Sequence, residues 1–293
     1  MSSQALAGTR SAAADYLELT KPRITVMVVL TALVGYVMGS VGSVGAAGLL
    51  PALLGTGLVA AGASVLNMVL ERRSDALMER TRLRPLPAGR LHPAEAVAWG
   101  LGLTATGLAL LAWLSGVLAA GVAALTWASY LFFYTPLKTR TSLATIVGAF
   151  PGALPPVIGW AAARGTLDPG SFVLFAILFL WQIPHFLAIA SLYREDYARA
   201  GFPMLPVLDP DGRVTGRQAL ANSIALLLVS LSPVAGGMAG GVYLGGALAL
   251  GLGFTALAAW AAVVRTPAAF RRLFLGSVLY LAALCILLIA DRA

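Results

Sequence analysis

Amide and acidic side chains follow one another at a helical spacing where a long apolar stretch ends. Asn67, Glu71 and Asp75 stand at positions i, i+4 and i+8. Because each residue of an α-helix turns through about 100°, these side chains lie along one stripe, within roughly 12 Å. Oxygen ligands suit a hard cation such as Mg²⁺, and polar groups inside an apolar segment are costly and by default functional. The spacing predicts a site for Mg²⁺ and a phosphate-bearing ligand.

Basic residues and a second acidic segment support this interpretation. Arg80 and Arg84 follow the stripe and supply planar donors that match phosphate oxygens. The segment 193–206 again places acidic and basic side chains beside the end of an apolar stretch, with Asp196 as its candidate carboxylate. We expect the two segments to close over one ligand. The other candidate ligand-binding residues of the second segment are Tyr193, Arg194 and Tyr197.

Two further features are candidates. Tyr134, Lys138 and Arg140 add positive charge at the end of another apolar stretch, although such charges also mark any inner loop of a membrane protein. His185 stands eleven residues before Asp196 within an apolar stretch, nearly on the same helix face and roughly 16 Å deeper. An intramembrane histidine is a candidate iron ligand, proton donor or substrate hydrogen bonder, and a packed structural histidine is the alternative.

The elements that position these residues must cross a membrane. Of the 293 residues 59% are hydrophobic and 11% are charged, which excludes an ordinary soluble globule. Stretches of about 20 apolar residues predict an all-α, polytopic membrane protein. The nine predicted spans are residues 24–42, 49–70, 94–114, 117–134, 143–162, 171–193, 218–238, 242–264 and 272–290.

The distribution of charge predicts the orientation. With the N-terminus inside, every lysine and arginine except Arg164 and Arg292 falls on the inner side, as the positive-inside rule requires. The N-terminus and the candidate loops are therefore expected to be cytoplasmic. Residues 1–23 predict a cytoplasmic tail and residues 24–293 one intramembrane domain. The lack of an Arg- and Ser-rich presequence favours a bacterial inner membrane.

These motifs resemble the UbiA-type intramembrane prenyltransferases, and within them the branch that farnesylates heme, the heme O synthases. The matching residues, beside Asn67, Glu71 and Asp75, are Met78, Arg80, Thr81, Arg84, Pro85, Tyr134, Thr135, Lys138, Pro155, Pro156, Gly159, Trp160, Gln182, Ile183, Pro184, His185, Asp196, Tyr197, Ala200, Gly201, Pro203, Met204, Leu205 and Pro206. One departure is Leu192, which stands where the wider superfamily has another acidic residue.

The resemblance implies nine helices around a central cavity open to the cytoplasmic side. It implies that farnesyl diphosphate and heme B react to give heme O and diphosphate, with Mg²⁺ as cofactor. The implied catalytic and metal-binding residues are Asn67, Glu71, Asp75 and Asp196. The cations Arg80, Arg84, Lys138 and Arg194 would then stabilise the leaving diphosphate, and His185 would contact the heme. The expected partners are the lipid bilayer and a downstream heme A synthase or terminal oxidase assembly, with no nucleic acid.

Two alternatives stay open at this stage. The same enzyme class can act on another ring acceptor, such as a quinone precursor or a chlorophyll-type ring, but the signature around Asp196 argues against this. A secondary transporter for an anion is the other, because its vestibule would also be basic. Transporters are expected to carry charged coupling residues deep in their spans, and the spans here show none.

Overall fold

The computed structural model describes residues 11–293 and is helical in that part of the chain, with no strand beyond an isolated bridge between Ala239 and Arg292. In chain order the helices are α1 (Ala12–Leu19), α2 (Pro22–Gly39), α3 (Ala46–Asp75), α4 (Pro93–Leu114), α5 (Val117–Ala128), α6 (Thr135–Leu137), α7 (Ala144–Ala153), α8 (Pro155–Arg164), α9 (Pro169–Leu192), α10 (Arg194–Arg199), α11 (Leu205–Leu208), α12 (Arg213–Ala235), α13 (Gly241–Val264) and α14 (Pro267–Ala290).

Nine segments among residues 11–293 are long and apolar enough to cross a membrane, which confirms the predicted number. Seven of them are the single helices α2, α3, α4, α9, α12, α13 and α14, and the other two are α5 with α6 and α7 with α8. Each span takes the chain to the opposite side of the helix bundle. The helix α1 and the loops after α3, α6, α9 and α13 therefore lie on the same side. These loops carry most lysines and arginines, and we name this side the positively charged face.

The second span extends further than its apolar stretch. The prediction ends it at residue 70, whereas α3 continues to Asp75 and is 30 residues long, more than the roughly 20 that cross a bilayer. Glu71, Arg72 and Arg73 have good helix propensity, so the helix continues after its hydrophobicity ends. As a result Asn67 and Asp75 stand on the same uninterrupted helix.

Two irregularities shape the middle of the fold. Ser129–Tyr134 forms a π-helical turn between α5 and α6, which the sequence analysis does not predict. The fifth span breaks at Leu154, because Pro155 lacks the N–H that would continue the helix and instead begins α8. Helix α8 then packs tightly on α2, where a Cβ at Gly35 would overlap the carbonyl oxygen of Pro156. Small residues of this kind let membrane helices approach closely.

The predicted N-terminal tail contains a docked helix. Residues 1–10 of the tail lie outside the described residues, but α1 packs against the chain that follows α3. Leu19 is fully buried in a cluster with Val65 and Met68. Asp15 pairs with Arg90, whose Nε donates to both carboxylate oxygens at 3.0 Å. This contact fixes both α1 and the loop after α3.

Replacing Asp15 by Asn should loosen that contact. The Asp15 side chain is 5% exposed, so Arg90 loses a largely desolvated charged partner, at a cost of about 1–3 kcal/mol in unfolding free energy. We expect a lower thermal midpoint in detergent and faster proteolysis near residue 20. Arg82→Gln is the matched control, because its pair with Glu79 is exposed and worth about 0–1 kcal/mol. Equal effects of the two variants would contradict this role of Asp15.

Candidate active site

The predicted stripe of amide and acidic residues lies at the end of α3 on the positively charged face. Asn67 is 1% exposed, Glu71 7% and Asp75 1%. Polar side chains so deeply buried need hydrogen-bond or charge partners, and each of the three has them. The partners come from segments distant in the sequence, so the stripe is a meeting point of several elements.

Glu71 and Asn67 contact residues on both sides of α3. The Nζ of Lys138, just after α6, lies 3.1 Å from one carboxylate oxygen of Glu71. The Asn67 side chain accepts a hydrogen bond from Lys21 Nζ at 2.8 Å and donates one to Thr135 Oγ1 at 3.1 Å. The end of the fourth span and the start of the first are thereby fixed against α3.

The loop after α3 folds back over the end of its own helix. Arg84 Nη1 pairs with Asp75 Oδ2 at 2.8 Å. The Thr81 hydroxyl, also buried, donates to the backbone carbonyl of Asp75 at 2.8 Å. Arg84 is therefore held over the stripe, as its predicted role in phosphate binding requires.

Asp196 joins the second acidic segment to this loop. Its carboxylate accepts hydrogen bonds from the backbone N–H groups of Glu79 at 3.3 Å and Arg80 at 3.4 Å. It also forms an ion pair with Arg199 on α10. The two acidic segments, far apart in the sequence, therefore contact each other as the sequence analysis expects.

The pKa values of Lys21 and Lys138 are shifted in opposite directions. Burial lowers the pKa of Lys21 to about 8, although the Glu71 carboxylate acts in the opposite direction. Burial also disfavours the charge of Lys138, but Tyr134 and Glu71 outweigh it and raise its pKa. The ring of Phe202 lies 4.9 Å from Lys138 Nζ and adds a cation–π contact.

The four predicted metal ligands are not arranged as a preformed cage. In the described part of the chain no three acidic, histidine or cysteine side chains converge on one point. Instead Glu71, Asp75 and Asp196 are each paired with a cation. We name the set Lys21, Asn67, Glu71, Asp75, Arg84, Lys138, Asp196 and Arg199 the ion-pair cluster.

The other predicted site residues lie around or outside this cluster. Arg80 stacks over the ring of Tyr193, with 5.1 Å from its guanidinium carbon to the ring centroid. Tyr197 packs in an apolar cluster with Met78, and Arg140 is exposed. His185 contacts the last helix, where its Nδ1 lies 2.7 Å from Ser277 Oγ. Arg194 donates to the carbonyl of Pro210.

Two residues of the ion-pair cluster, Lys21 and Arg199, and the Asn67 partner Thr135 are not predicted as site residues from the sequence. Lys21 precedes the first apolar stretch, where a lysine is typical of the cytoplasmic end of a membrane span. Its left-handed backbone, with φ of 48°, is the unusual feature, and sequence does not show it. Arg199 follows Asp196 by three residues, a spacing at which ion pairs form on a helix. This ion pair is therefore predictable from the sequence. Thr135 is predicted only as a member of the family motif, with no role of its own.

The chain belongs to the UbiA prenyltransferase family, whose model matches residues 28–289. The protein is therefore an enzyme that transfers prenyl groups, and it is an integral membrane protein with several spans. Among curated relatives, the protoheme IX farnesyltransferase of Solibacter usitatus is 50% identical over 287 residues, covering 95% of this chain and 98% of that protein. The protoheme IX farnesyltransferase of Salinibacter ruber is 46% identical, covering 94% and 98% of the two chains.

Solved structures share the fold. A digeranylgeranylglyceryl phosphate synthase superposes with a TM-score of 0.81 at 16% identity, covering 95% of this chain and 98% of that one. A UbiA homologue from Archaeoglobus fulgidus, solved with GPP and Mg²⁺, superposes with a TM-score of 0.67 at 18% identity, covering 94% and 99%. At such identities the likeness concerns the fold alone, and it agrees with the all-α architecture predicted from the sequence.

Proposed function

We propose that this enzyme transfers the farnesyl group of farnesyl diphosphate to a vinyl group of heme B and gives heme O. The ion-pair cluster is the observation that carries the proposal, because buried carboxylates beside lysine and arginine side chains match a metal–diphosphate ligand. The names of relatives up to 50% identical over nearly the whole chain support heme as the acceptor. They disfavour a quinone precursor, a chlorophyll-type ring or a transported anion.

The donor set fits Mg²⁺ and diphosphate together. Oxygen ligands from Asn67, Glu71, Asp75 and Asp196 would hold one or two Mg²⁺ ions, which when bound neutralise the charge of the leaving diphosphate. The carboxylates of Glu71, Asp75 and Asp196 are paired with lysine and arginine side chains. Phosphate oxygens are strong partners for the same side chains, so an incoming diphosphate can take the cations and free the carboxylates.

The chain's own residues then have defined tasks. Lys21, Lys138 and Arg84 bind phosphate oxygens and stabilise the negative charge that grows as the allylic C–O bond breaks. The heme vinyl group attacks the farnesyl cation and forms the new C–C bond. Water adds to the resulting carbocation and loses a proton, which leaves a hydroxyethylfarnesyl substituent. Aromatic side chains near the cluster, among them Tyr134, shield the cation from early capture by water.

The charge distribution supports an orientation with the N-terminus and the ion-pair cluster in the cytoplasm. The bacterial relatives support a bacterial inner membrane. In that setting both substrates with long apolar parts enter from the bilayer. The product is a substrate for a heme A synthase or a cofactor for a terminal oxidase, which are the proposed downstream partners.

The test is a direct assay of the product. Membranes that contain the protein are incubated with heme B, farnesyl diphosphate and Mg²⁺, with and without EDTA, and the hemes are separated by chromatography and identified by mass spectrometry. We expect heme O that depends on Mg²⁺, and none in membranes that lack the protein. Folded protein that forms no heme O, but prenylates another ring acceptor, would contradict heme as the substrate.

A further inference from the structure

A charged cavity opens on the positively charged face, beside the ion-pair cluster. Its volume is about 540 Å³. Its walls come from the last turn of α9, from α10, from the first turn of α14, and from the first turn of α12 with the loop before it. Lys21, Glu71 and Lys138 do not line it. The wall residues used below are Leu192, Arg194, Asp196, Thr215, Arg265 and Phe270. We name this space the α9–α14 cavity.

Two arginines in the wall have no acidic partner among residues 11–293. Arg194 donates to the carbonyl of Pro210 at 3.1 Å, and Arg265 donates to the carbonyl of Val263 at 3.2 Å. Neither forms an ion pair with the described residues. Because neither guanidinium group forms such an ion pair, both stay available to an anionic ligand, and guanidinium groups match carboxylates with two parallel hydrogen bonds.

The described acidic residues that line the same cavity do not pair with Arg194 or Arg265. Asp209 caps the start of α12, where it accepts hydrogen bonds from the Thr215 N–H at 2.7 Å and the Thr215 hydroxyl at 2.8 Å. Asp196 is paired with Arg199 and with the loop after α3. Glu195 is exposed to solvent. Asp196 forms the boundary between the ion-pair cluster and the α9–α14 cavity.

The heme acceptor brings anionic groups of its own. The ion-pair cluster fits the diphosphate, whereas heme B carries two propionate carboxylates, which guanidinium groups bind well. Arg194 lies in the α9–α14 cavity and not in the ion-pair cluster. We therefore propose that it does not bind the diphosphate, the role that the family resemblance implies, but binds the propionates of the heme acceptor together with Arg265. This inference rests on the proposed function, and it separates the two substrates into neighbouring sites that meet at Asp196.

The inner wall of the cavity suits the apolar face of a porphyrin. Leu192 and Phe270 line it, and Phe274, one turn further along α14, packs against the ring of His185 at 5.1 Å between centroids. His185 lies roughly 9 Å along α9 from the cavity residue Ser191.

The hydrogen bonds of Ser277 favour one tautomer of that histidine. The Ser277 hydroxyl donates its only proton to the carbonyl of Phe274 at 2.6 Å, so it can only accept from His185 Nδ1, which lies 2.7 Å away. With Ser277 in that orientation, Nδ1 donates to the hydroxyl and Nε2 has the lone pair. No hydrogen bond from residues 11–293 reaches Nε2. A neutral imidazole with a free Nε2 is the form that ligates heme iron.

The experiment compares two acceptors that differ only in charge. Heme B and its dimethyl ester, whose propionates are masked, are each titrated in detergent with saturating farnesyl diphosphate and Mg²⁺. We expect the wild type to favour heme B in kcat/KM. Arg194→Gln and Arg265→Gln should each raise KM for heme B roughly tenfold, without changing KM for the ester or for farnesyl diphosphate. Arg194→Lys keeps the charge and should retain most of the preference.

Arg217→Gln is the matched control, because Arg217 is exposed on α12 and does not line the cavity. Equal use of the two acceptors by the wild type would overturn the inference while leaving the proposed function intact. Variants that alter only the dependence on added anionic phospholipid would also overturn it, because the cavity would then bind a lipid headgroup. No heme O from the wild type with either acceptor would contradict the proposed function itself.

Discussion

Asp75→Asn is expected to lower kcat/KM for farnesyl diphosphate on the order of 1,000-fold. The substitution keeps the volume of the side chain and an oxygen for Arg84, but it removes a negative charge from a position that is 1% exposed. In the proposed site that charge holds Mg²⁺, so we also expect the Mg²⁺ concentration for half-maximal rate to rise. Initial rates of heme O formation at several concentrations of Mg²⁺ measure both effects.

The matched control for this prediction is Asp211→Asn. Asp211 is an exposed carboxylate on the same face, in the loop before α12 and outside the ion-pair cluster. It should retain the wild-type rate. Both variants must elute as folded protein in detergent, because the loss of a partner for Arg84 also carries a stability cost. A wild-type rate in folded Asp75→Asn would contradict the assignment of Asp75 as a metal ligand.

The parts of this fold that follow from local pattern were predictable. Hydrophobicity over about 20 residues locates all nine spans, and the spacing of Asn67, Glu71 and Asp75 places them on one face of α3. The contact between Asp196 and the loop after α3 was expected because both acidic segments end spans on one side. These features depend on periodicity and on alternation of sides, which a single sequence records.

Contacts between distant segments were not predictable in the same way. Lys138 pairs with Glu71 across 67 positions, and Lys21 reaches Asn67 across 46, so only the packed helices bring them together. The direction of His185 depends on how α9 is rotated against α14, and its partner Ser277 lies 92 positions away. The docking of α1 likewise depends on Arg90. Tertiary packing decides these contacts, and the sequence contains no local signal for them.

Lys138→Met should affect both stability and activity, and a second substitution can separate the two effects. The side chains of Lys138 and Glu71 are 13% and 7% exposed, so loss of the cation leaves a buried carboxylate without its nearest countercharge. Breaking such a pair costs about 3–5 kcal/mol of unfolding free energy. We expect a clear fall in the thermal midpoint in detergent and no measurable heme O. Arg140→Met, an exposed position two residues on, should change stability by less than about 0.5 kcal/mol.

The double variant Glu71→Gln with Lys138→Met distinguishes the role of the ion pair in folding from its role in the reaction. Removing both charges removes the unpaired carboxylate, so most of the lost thermal stability should return. Activity should not return, because the proposed site would then lack both a metal ligand and a cation for the diphosphate. If the double variant stayed as unstable as Lys138→Met, the ion pair would not be the cause of the instability. If it formed heme O, neither residue would have the proposed role, and diphosphate binding would have to rest on Lys21 and Arg84.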